Sequence, residues 1–242
     1  MLEMKDITAG YGETMILRNI SLDFPKGTVT AILGPNGCGK STLLKAAAGL
    51  LPIAAGEISA PQPRARHIAY LPQSRRLPEM TVRQLVLQGR YPWLGWPRRY
   101  GERDLALAEG AMARLGVEEY AHRPLAELSG GTRQRCFLAM TLAQDPEVFL
   151  LDEPTSFLDP LHQLRLLELC RELAAEGKAV AVVLHDLPLA LRYADRAAVM
   201  KDGQLLAVDS PERLLERGIL EQVFGVKILG VDTPEGRSYV CI

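Results

Sequence analysis

Short apolar runs alternate with segments of helical periodicity along the 242-residue chain. Several runs are apolar at successive positions, as in strands that helices cover on both faces of a parallel sheet. Segments 40–48 and 161–173 have the apolar spacing and the end residues of helices, with Gly49 closing the first and Pro160 opening the second. The pattern predicts an α/β fold with a mostly parallel sheet. The apolar runs are residues 28–33, 68–71, 148–151 and 179–184.

Other patterns predict what surrounds this sheet. Residues 2–8 and 16–24 alternate like strands at the N-terminus, and Asp202-Gly203 suits the turn of a later hairpin, 196–200 with 204–208. The section from about 75 to 145 is predicted to be helical, with helices beginning near Val82 and at 103–115 and 131–143. We therefore expect one domain, 1–242. Its parts are a catalytic core with a β subdomain (1–74 and 146–242) and a helical subdomain (75–145).

Composition limits the possible functions. Hydrophobic residues make up 48% and charged residues 24% of the chain, which is typical of a folded globular protein. The formal net charge of -1 provides no overall field for binding nucleic acid, so no nucleic-acid partner is expected. No apolar run approaches the roughly 18 residues that a membrane span needs. The four separated cysteines are expected to be reduced thiols.

A phosphate-binding loop is predicted between the strand 28–33 and the helix that begins near residue 40. The segment 34–41, GPNGCGKS, matches the pattern G-x-x-x-x-G-K-[ST] in full. Its glycines let backbone N–H groups surround the phosphates, and the helix adds its positive end. Lys40 is expected to reach the β- and γ-phosphates, Ser41 to bind Mg²⁺ and Thr42 to contact the α-phosphate. The predicted nucleotide-binding residues here are Gly34, Pro35, Asn36, Gly37, Cys38, Gly39, Lys40, Ser41 and Thr42, with Cys38 as a small loop residue rather than a nucleophile.

Two carboxylates follow the apolar run 148–151. Asp152 ends this strand at the edge where open α/β sheets bind ligands, and it is predicted to hold Mg²⁺. Glu153 points elsewhere and is predicted to orient or deprotonate the attacking water.

The order of several short motifs then resembles the ATPases of ABC type over about residues 1–225. Leu128-Ser129-Gly130-Gly131, with Gln134 and Arg135, is similar to their signature motif. The resemblance implies that Tyr11 stacks on adenine, that Gln73 is a catalytic and Mg²⁺-binding Q-loop glutamine, and that Asp159 lies in the D-loop. It also implies that His185 is the catalytic switch histidine. The fold it implies is a P-loop NTPase (RecA-like) core with an N-terminal antiparallel β subdomain and an inserted helical subdomain.

The same resemblance implies a second copy of the chain. Ser129, Gly130 and Gly131 would contact the γ-phosphate held by the partner, so that two chains enclose two ATP molecules in a C2 arrangement. The family usually has Gln or Glu after the second signature glycine, and Thr132 stands there in this chain. We expect that difference to alter nucleotide affinity without abolishing function.

Residues 81–92 are similar to the corresponding region in ATP-binding subunits of importers for iron-siderophore, haem and cobalamin. That resemblance implies a peripheral protein at the cytoplasmic face of the membrane. It would dock beneath integral membrane permease subunits that an extracytoplasmic substrate-binding protein feeds. Trp93 and Trp96 would suit a protein contact if both are exposed, or would form a local loop core. The alternatives are a soluble ABC ATPase acting on nucleic acid or ribosomes, and the ATPase subunit of an exporter; a small-molecule P-loop kinase is disfavoured by Ser129-Gly130-Gly131 and His185.

Overall fold

The structure is a computed structural model that describes residues 1–73, 77–234 and 236–242. The described strands are β1 (Leu2–Tyr11), β2 (Thr14–Phe24), β3 (Thr28–Leu33), β4 (Ile53–Ser59), β5 (Ile68–Leu71), β6 (Val148–Asp152), β7 (Ala179–Val183), β8 (Arg196–Lys201), β9 (Gln204–Asp209), β10 (Ile228–Thr233) and β11 (Gly236–Cys241). The described helices are α1 (Lys40–Ala47), α2 (Arg64–His67), α3 (Val82–Gln88), α4 (Glu102–Arg114), α5 (Gly130–Ala143), α6 (Pro160–Ala175), α7 (Leu187–Tyr193), α8 (Pro211–Glu216) and α9 (Ile219–Phe224).

The predicted apolar strands lie in one six-stranded sheet of order β5-β6-β7-β3-β8-β9. The first five strands are parallel, and β9 runs antiparallel to β8 after the turn at Asp202 and Gly203, both with positive φ. All residues of β6 and β7 are buried, which confirms the prediction of a sheet covered on both faces. Because β3 and β6 are parallel, the loop after β3 and the carboxylates at the end of β6 emerge at the same sheet edge.

The two faces of this sheet carry separate hydrophobic clusters. Alternate residues of β3 enter them: Ile32 packs with β1, β2 and α1, whereas Ala31 and Leu33 pack with α3 to α7. The predicted antiparallel β subdomain is a three-stranded sheet of order β2-β1-β4. Strand β4 was not predicted, because most of its residues are exposed and it lacks an apolar alternation.

Helices α3, α4 and α5 occupy the section predicted to be helical. Thr81 caps α3 through a reciprocal bond with Gln84, and Ser129 caps α5. These helices share one hydrophobic cluster with β3, β6 and β7. Because the packing does not separate the helical subdomain from the core, its boundaries stay a prediction. Helix α7 after His185 was not predicted. The C-terminal part has two short helices, α8 and α9, before the β10-β11 hairpin.

The two tryptophans differ in their surroundings. Trp96 is 94% exposed, whereas Trp93 is half-buried and donates its indole N–H to the backbone carbonyl of Gln144 at 2.9 Å. The idea of an exposed aromatic pair is therefore wrong, because Trp93 belongs to the local loop core. Within the described ranges, no helix is both long and apolar enough to cross a bilayer.

Candidate functional site

The loop between β3 and α1 has the backbone that the phosphate-loop pattern predicts. Gly37 and Gly39 have φ values of 80° and 105°, a region that side chains with a Cβ rarely adopt. A Cβ on Gly34 would clash with the backbone carbonyl oxygen of Met200. Helix α1 begins directly after the loop, so its N-terminal N–H groups face the loop's interior.

Lys40 presents a nearly buried cation at this loop. Its side-chain ammonium donates to the carbonyl oxygens of Gly34 at 2.7 Å and Pro35 at 3.1 Å, and the residue is 6% exposed. These partners are neutral carbonyls, so the positive charge has no counter-charge within the loop. A bound phosphate would supply one.

A buried carboxylate stands opposite the loop. Asp152, 1% exposed, accepts hydrogen bonds from the Ser41 hydroxyl at 3.1 Å and from the Tyr70 hydroxyl at 3.2 Å. Burial raises the pKa of Asp152 against the opposing effect of these two bonds. A carboxylate and a hydroxyl side by side are oxygen ligands of the kind that Mg²⁺ prefers, and a cation would offset the cost of burying the charge. The residues therefore fit the ion that the sequence predicts.

Glu153, Gln73 and His185 form one cluster at the end of β6. The side-chain amide of Gln73 donates to Oε2 of Glu153 at 2.6 Å, and Nε2 of His185 lies 2.6 Å from Oε1. Glu153 is also a non-glycine residue with positive φ, 50°, directly after the end of β6. Gln73 and His185, both predicted to be catalytic, thus each lie within hydrogen-bond reach of the predicted base Glu153.

These elements surround a cleft of about 380 Å³. Tyr11 stands exposed at its rim, where its hydroxyl accepts a hydrogen bond from the ammonium of Lys45 at 3.2 Å. The Cys38 side chain does not line the cleft: it is buried behind the loop, and burial raises the pKa of its thiol. The lining residues are Tyr11, Ile16, Asn36, Gly37, Gly39, Lys40, Ser41, Thr42, Gln73, Glu153 and His185.

The signature residues lie elsewhere on the chain. Ser129, Gly130, Gly131 and Asp159 do not line the phosphate-loop cleft, and Gly130 instead faces a second cavity of about 640 Å³ beside Phe157. The Ser129 hydroxyl accepts the N–H of Thr132 at 3.2 Å as the cap of α5. The start of α5 is thus a helix N-terminus that can bind an anion, but it does not line the cleft at the chain's own phosphate loop.

Two side chains near this motif have local partners. The Thr132 hydroxyl lies 2.9 Å from the Ser129 hydroxyl, so the short side chain turns toward the cap. Asp159 caps α6 by accepting the N–H of His162 at 2.9 Å, and that bond together with the His162 ring holds the pKa of Asp159 below its usual range.

Sequence reasoning missed two side chains at the site: Tyr70 binds Asp152, and Lys45 binds Tyr11. Gln134, which was predicted only as part of the signature motif, donates its side-chain amide to the carbonyl oxygen of Pro154 at 2.7 Å. The hydroxyl of Tyr70 inside an otherwise apolar run was the one available signal, since such a group needs a partner when it is buried.

Comparisons with known proteins agree with this geometry. The sequence profile described as "ABC transporter" matches residues 17–156. The petrobactin import ATP-binding protein FpuD of Bacillus anthracis is 44% identical, over 100% of this chain and 92% of that protein. The probable siderophore transport system ATP-binding protein YusV of Bacillus subtilis is 38% identical over the same shares. The hemin import ATP-binding protein HmuV of Streptomyces coelicolor is 44% identical over 88% of this chain and 79% of that protein.

Solved structures share the fold. An inward-facing metal-chelate type ABC transporter superposes with a TM-score of 0.86 at 26% identity, over 100% of this chain and 97% of that one. A dimeric, post-hydrolysis ATP-binding cassette with bound ADP and Pi superposes with a TM-score of 0.78 at 28% identity, over 87% and 99%. With the phosphate loop, the Asp152-Glu153 pair and the capped signature helix in place, these likenesses show that the chain belongs to the ABC transporter family, as an ATP-binding subunit that hydrolyses ATP.

Proposed function

We propose that this protein is the ATPase subunit of an importer that takes up a metal chelate such as an iron-siderophore, haem or cobalamin. Two copies would act at the cytoplasmic face of the membrane beneath a separate transmembrane dimer. The observation that carries the catalytic part is the contact of Glu153 with both Gln73 and His185 beside the phosphate loop. The relatives' names support the cargo class.

The residues on each wall of the cleft have a role in nucleotide binding. Tyr11 stacks on the adenine ring, and the loop 34–42 surrounds the phosphates with its N–H groups. Lys40 exchanges the carbonyls of Gly34 and Pro35 for the β- and γ-phosphates, a stronger, charge-assisted interaction. Ser41, Asp152 and Gln73 would hold Mg²⁺, which would supply positive charge against the charge that develops on the phosphates.

Hydrolysis depends on the cluster around Glu153. The Glu153 carboxylate accepts a proton from the attacking water while the water oxygen bonds to the γ-phosphorus and the bond to ADP breaks. In the present geometry Gln73 and His185 occupy the two carboxylate oxygens. Each of these oxygens keeps a further lone pair that can accept a hydrogen bond from the attacking water, and a His185 that leaves Glu153 can donate to a γ-phosphate oxygen.

A second copy completes the site. The serine-capped start of α5 does not line the chain's own cleft, and it suits the γ-phosphate held by a partner chain. Asp159, at the start of α6, would face the same partner chain. ATP bound between two chains would draw them together, and hydrolysis would release them.

Replacement of Glu153 tests the catalytic part. We expect Glu153→Gln to bind ATP but to lose turnover, and to form a nucleotide-bound dimer that light scattering detects with ATP and not with ADP. Glu168→Gln, which removes a charge from an exposed position on α6, is the matched control and should behave like the wild type. A Glu153→Gln protein that hydrolyses ATP at the wild-type rate would contradict the assignment of the base.

A purified complex tests the cargo. If the chain is isolated from membranes with its permease subunits, a metal chelate delivered by the binding protein should stimulate ATP hydrolysis. Stimulation by nucleic acid or ribosomes without any integral partner would instead favour a soluble ABC ATPase.

A further inference from the structure

A cavity of about 340 Å³ lies between the end of α4, the middle of α5 and the first half of α6, outside the nucleotide cleft. Its floor is apolar, because Leu138, Leu158 and Leu166 are buried there. Its rim is basic, and none of the residues that line it is acidic. The rim side chains are Arg114, Arg135, Arg165 and His162.

The rim cations differ in how far they are neutralised. Arg114 binds two carboxylates outside the lining, Glu172 at 2.8 Å and Glu176 at 2.9 Å. Arg135 donates to the carbonyl oxygens of Leu115 and Gly116, at 3.1 and 2.8 Å, and so keeps its net positive charge. Arg165 is exposed and, within the described residues, makes neither an ion pair nor a hydrogen bond. Two positive charges therefore border an apolar cavity, and neither has a carboxylate partner among the residues that the structure describes.

We propose that this cavity, here named the α4–α6 cavity, binds a small amphipathic organic anion. The volume lies at the lower end of the range for ligand sites, about 300–1,000 Å³. An aryl or short alkyl group would cover the leucine floor, and a carboxylate or sulfonate would meet Arg135 and Arg165. A neutral ligand of the same shape would leave the two cations without a counter-charge.

Side-chain contacts lead from the α4–α6 cavity to the two motifs that would face a partner chain, a step that rests on the proposed function. Nη2 of Arg135 lies 3.5 Å from the Thr132 hydroxyl, which is 2.9 Å from the Ser129 hydroxyl. On the other side, Nδ1 of His162 lies 2.9 Å from the Asp159 carboxylate. An anion in the cavity competes for Arg135 and His162, so its binding should change ATP hydrolysis as well.

Fluorescence of the full chain tests the site. The probe is anilinonaphthalene sulfonate, and the matched neutral probe is phenylnaphthylamine, which has the same rings without the sulfonate. Both are titrated with excess Mg²⁺ and ADP present, so that the nucleotide cleft is filled. We expect saturable one-to-one binding of the sulfonate, weakened about tenfold by Arg165→Gln, because a charge-assisted bond is lost. Arg171→Gln, an exposed position on α6 that does not line the cavity, should leave it unchanged.

A variant that fills the cavity distinguishes the contribution of charge to probe binding from the contribution of cavity shape. Ala113→Trp, at an exposed lining position on α4, should reduce binding of both probes by filling the cavity. The proposal fails if the sulfonate binds equally to the wild type, Arg165→Gln and Ala113→Trp proteins, or if the neutral probe binds as tightly as the anion. In the absence of ADP, saturating sulfonate should alter ATP turnover of the wild type and not of Ala113→Trp; an unchanged wild-type rate would refute the connection to Ser129 and Asp159.

Discussion

The ion pair between Arg90 and Asp104 offers a sharp test of how the helical section is held together. Nε of Arg90 donates to Asp104 at 2.9 Å, and the two side chains are 4% and 16% exposed. The same guanidinium donates to the carbonyl oxygens of Ala143 and Gln144, both at 3.0 Å, at the end of α5. Arg90 thus links the loop after α3 to the start of α4 and the end of α5.

Asp104→Ala should be strongly destabilising. It leaves the Arg90 cation buried without an anion, a change that typically costs about 3–5 kcal/mol. It also removes the acceptor for the backbone N–H of Gly101, which lies 3.0 Å from Oδ2. Glu109→Ala on the same helix is the matched control, because its contact with Arg83 is longer, 3.5 Å, and exposed on both sides. Such pairs contribute about 0–1 kcal/mol.

Urea unfolding followed by circular dichroism measures both values. In an Arg90→Met background, Asp104→Ala should cost much less than it does alone, since no unpaired charge remains. An Asp104→Ala protein no less stable than Glu109→Ala, or an equal cost in the two backgrounds, would refute the reasoning.

The pH dependence of stability follows from the same pair. Burial opposes ionisation of Asp104, but the Gly101 N–H and the Arg90 guanidinium outweigh it and hold the pKa of Asp104 below its usual range. Ionised Asp104 therefore stabilises the fold above about pH 4, the pKa in the unfolded chain, and this contribution is lost as the pH falls through the lower folded-state pKa. Unfolding of the Asp104→Ala protein should depend less steeply on pH in this acid range.

Two further predictions concern the nucleotide site and the thiols. His185→Ala should slow steady-state ATP turnover by about 10²–10³-fold while retaining nucleotide binding, because a donor to the γ-phosphate is lost; near-normal turnover would assign His185 a structural role only. Iodoacetamide at about pH 8 should label exposed Cys241 well before Cys136 and Cys170, because burial raises their pKa values to about 11 and about 12 and leaves little thiolate. Mass spectrometry after tryptic digestion determines the order in which the cysteines are labelled. Early labelling of Cys170 would contradict the described packing.

Local sequence patterns were sufficient to predict those elements whose structure depends mainly on residues close to them in the chain. The apolar strands β3, β5, β6 and β7 were predicted to within a residue, because continuous apolar runs of that length bury well only inside a covered sheet. The helices predicted near Val82 and at 131–143 begin within a residue of those positions, where the side-chain oxygens of Thr81 and Ser129 satisfy free N–H groups. The unpredicted elements β4 and α7 depend on pairing and packing with residues distant in sequence.

Thus the sequence alone determined the phosphate loop, the order of the motifs and the family, since each is a property of residue types at fixed spacings. Only the tertiary structure brought Gln73, Glu153 and His185 into contact, placed Tyr70 on Asp152 and left Trp96 exposed while burying much of Trp93. Those outcomes depend on which strand ends become neighbours and on which side chains cover one another. Local spacing in the sequence does not determine these contacts, because each one joins segments that are distant along the chain and meet only when the sheet forms.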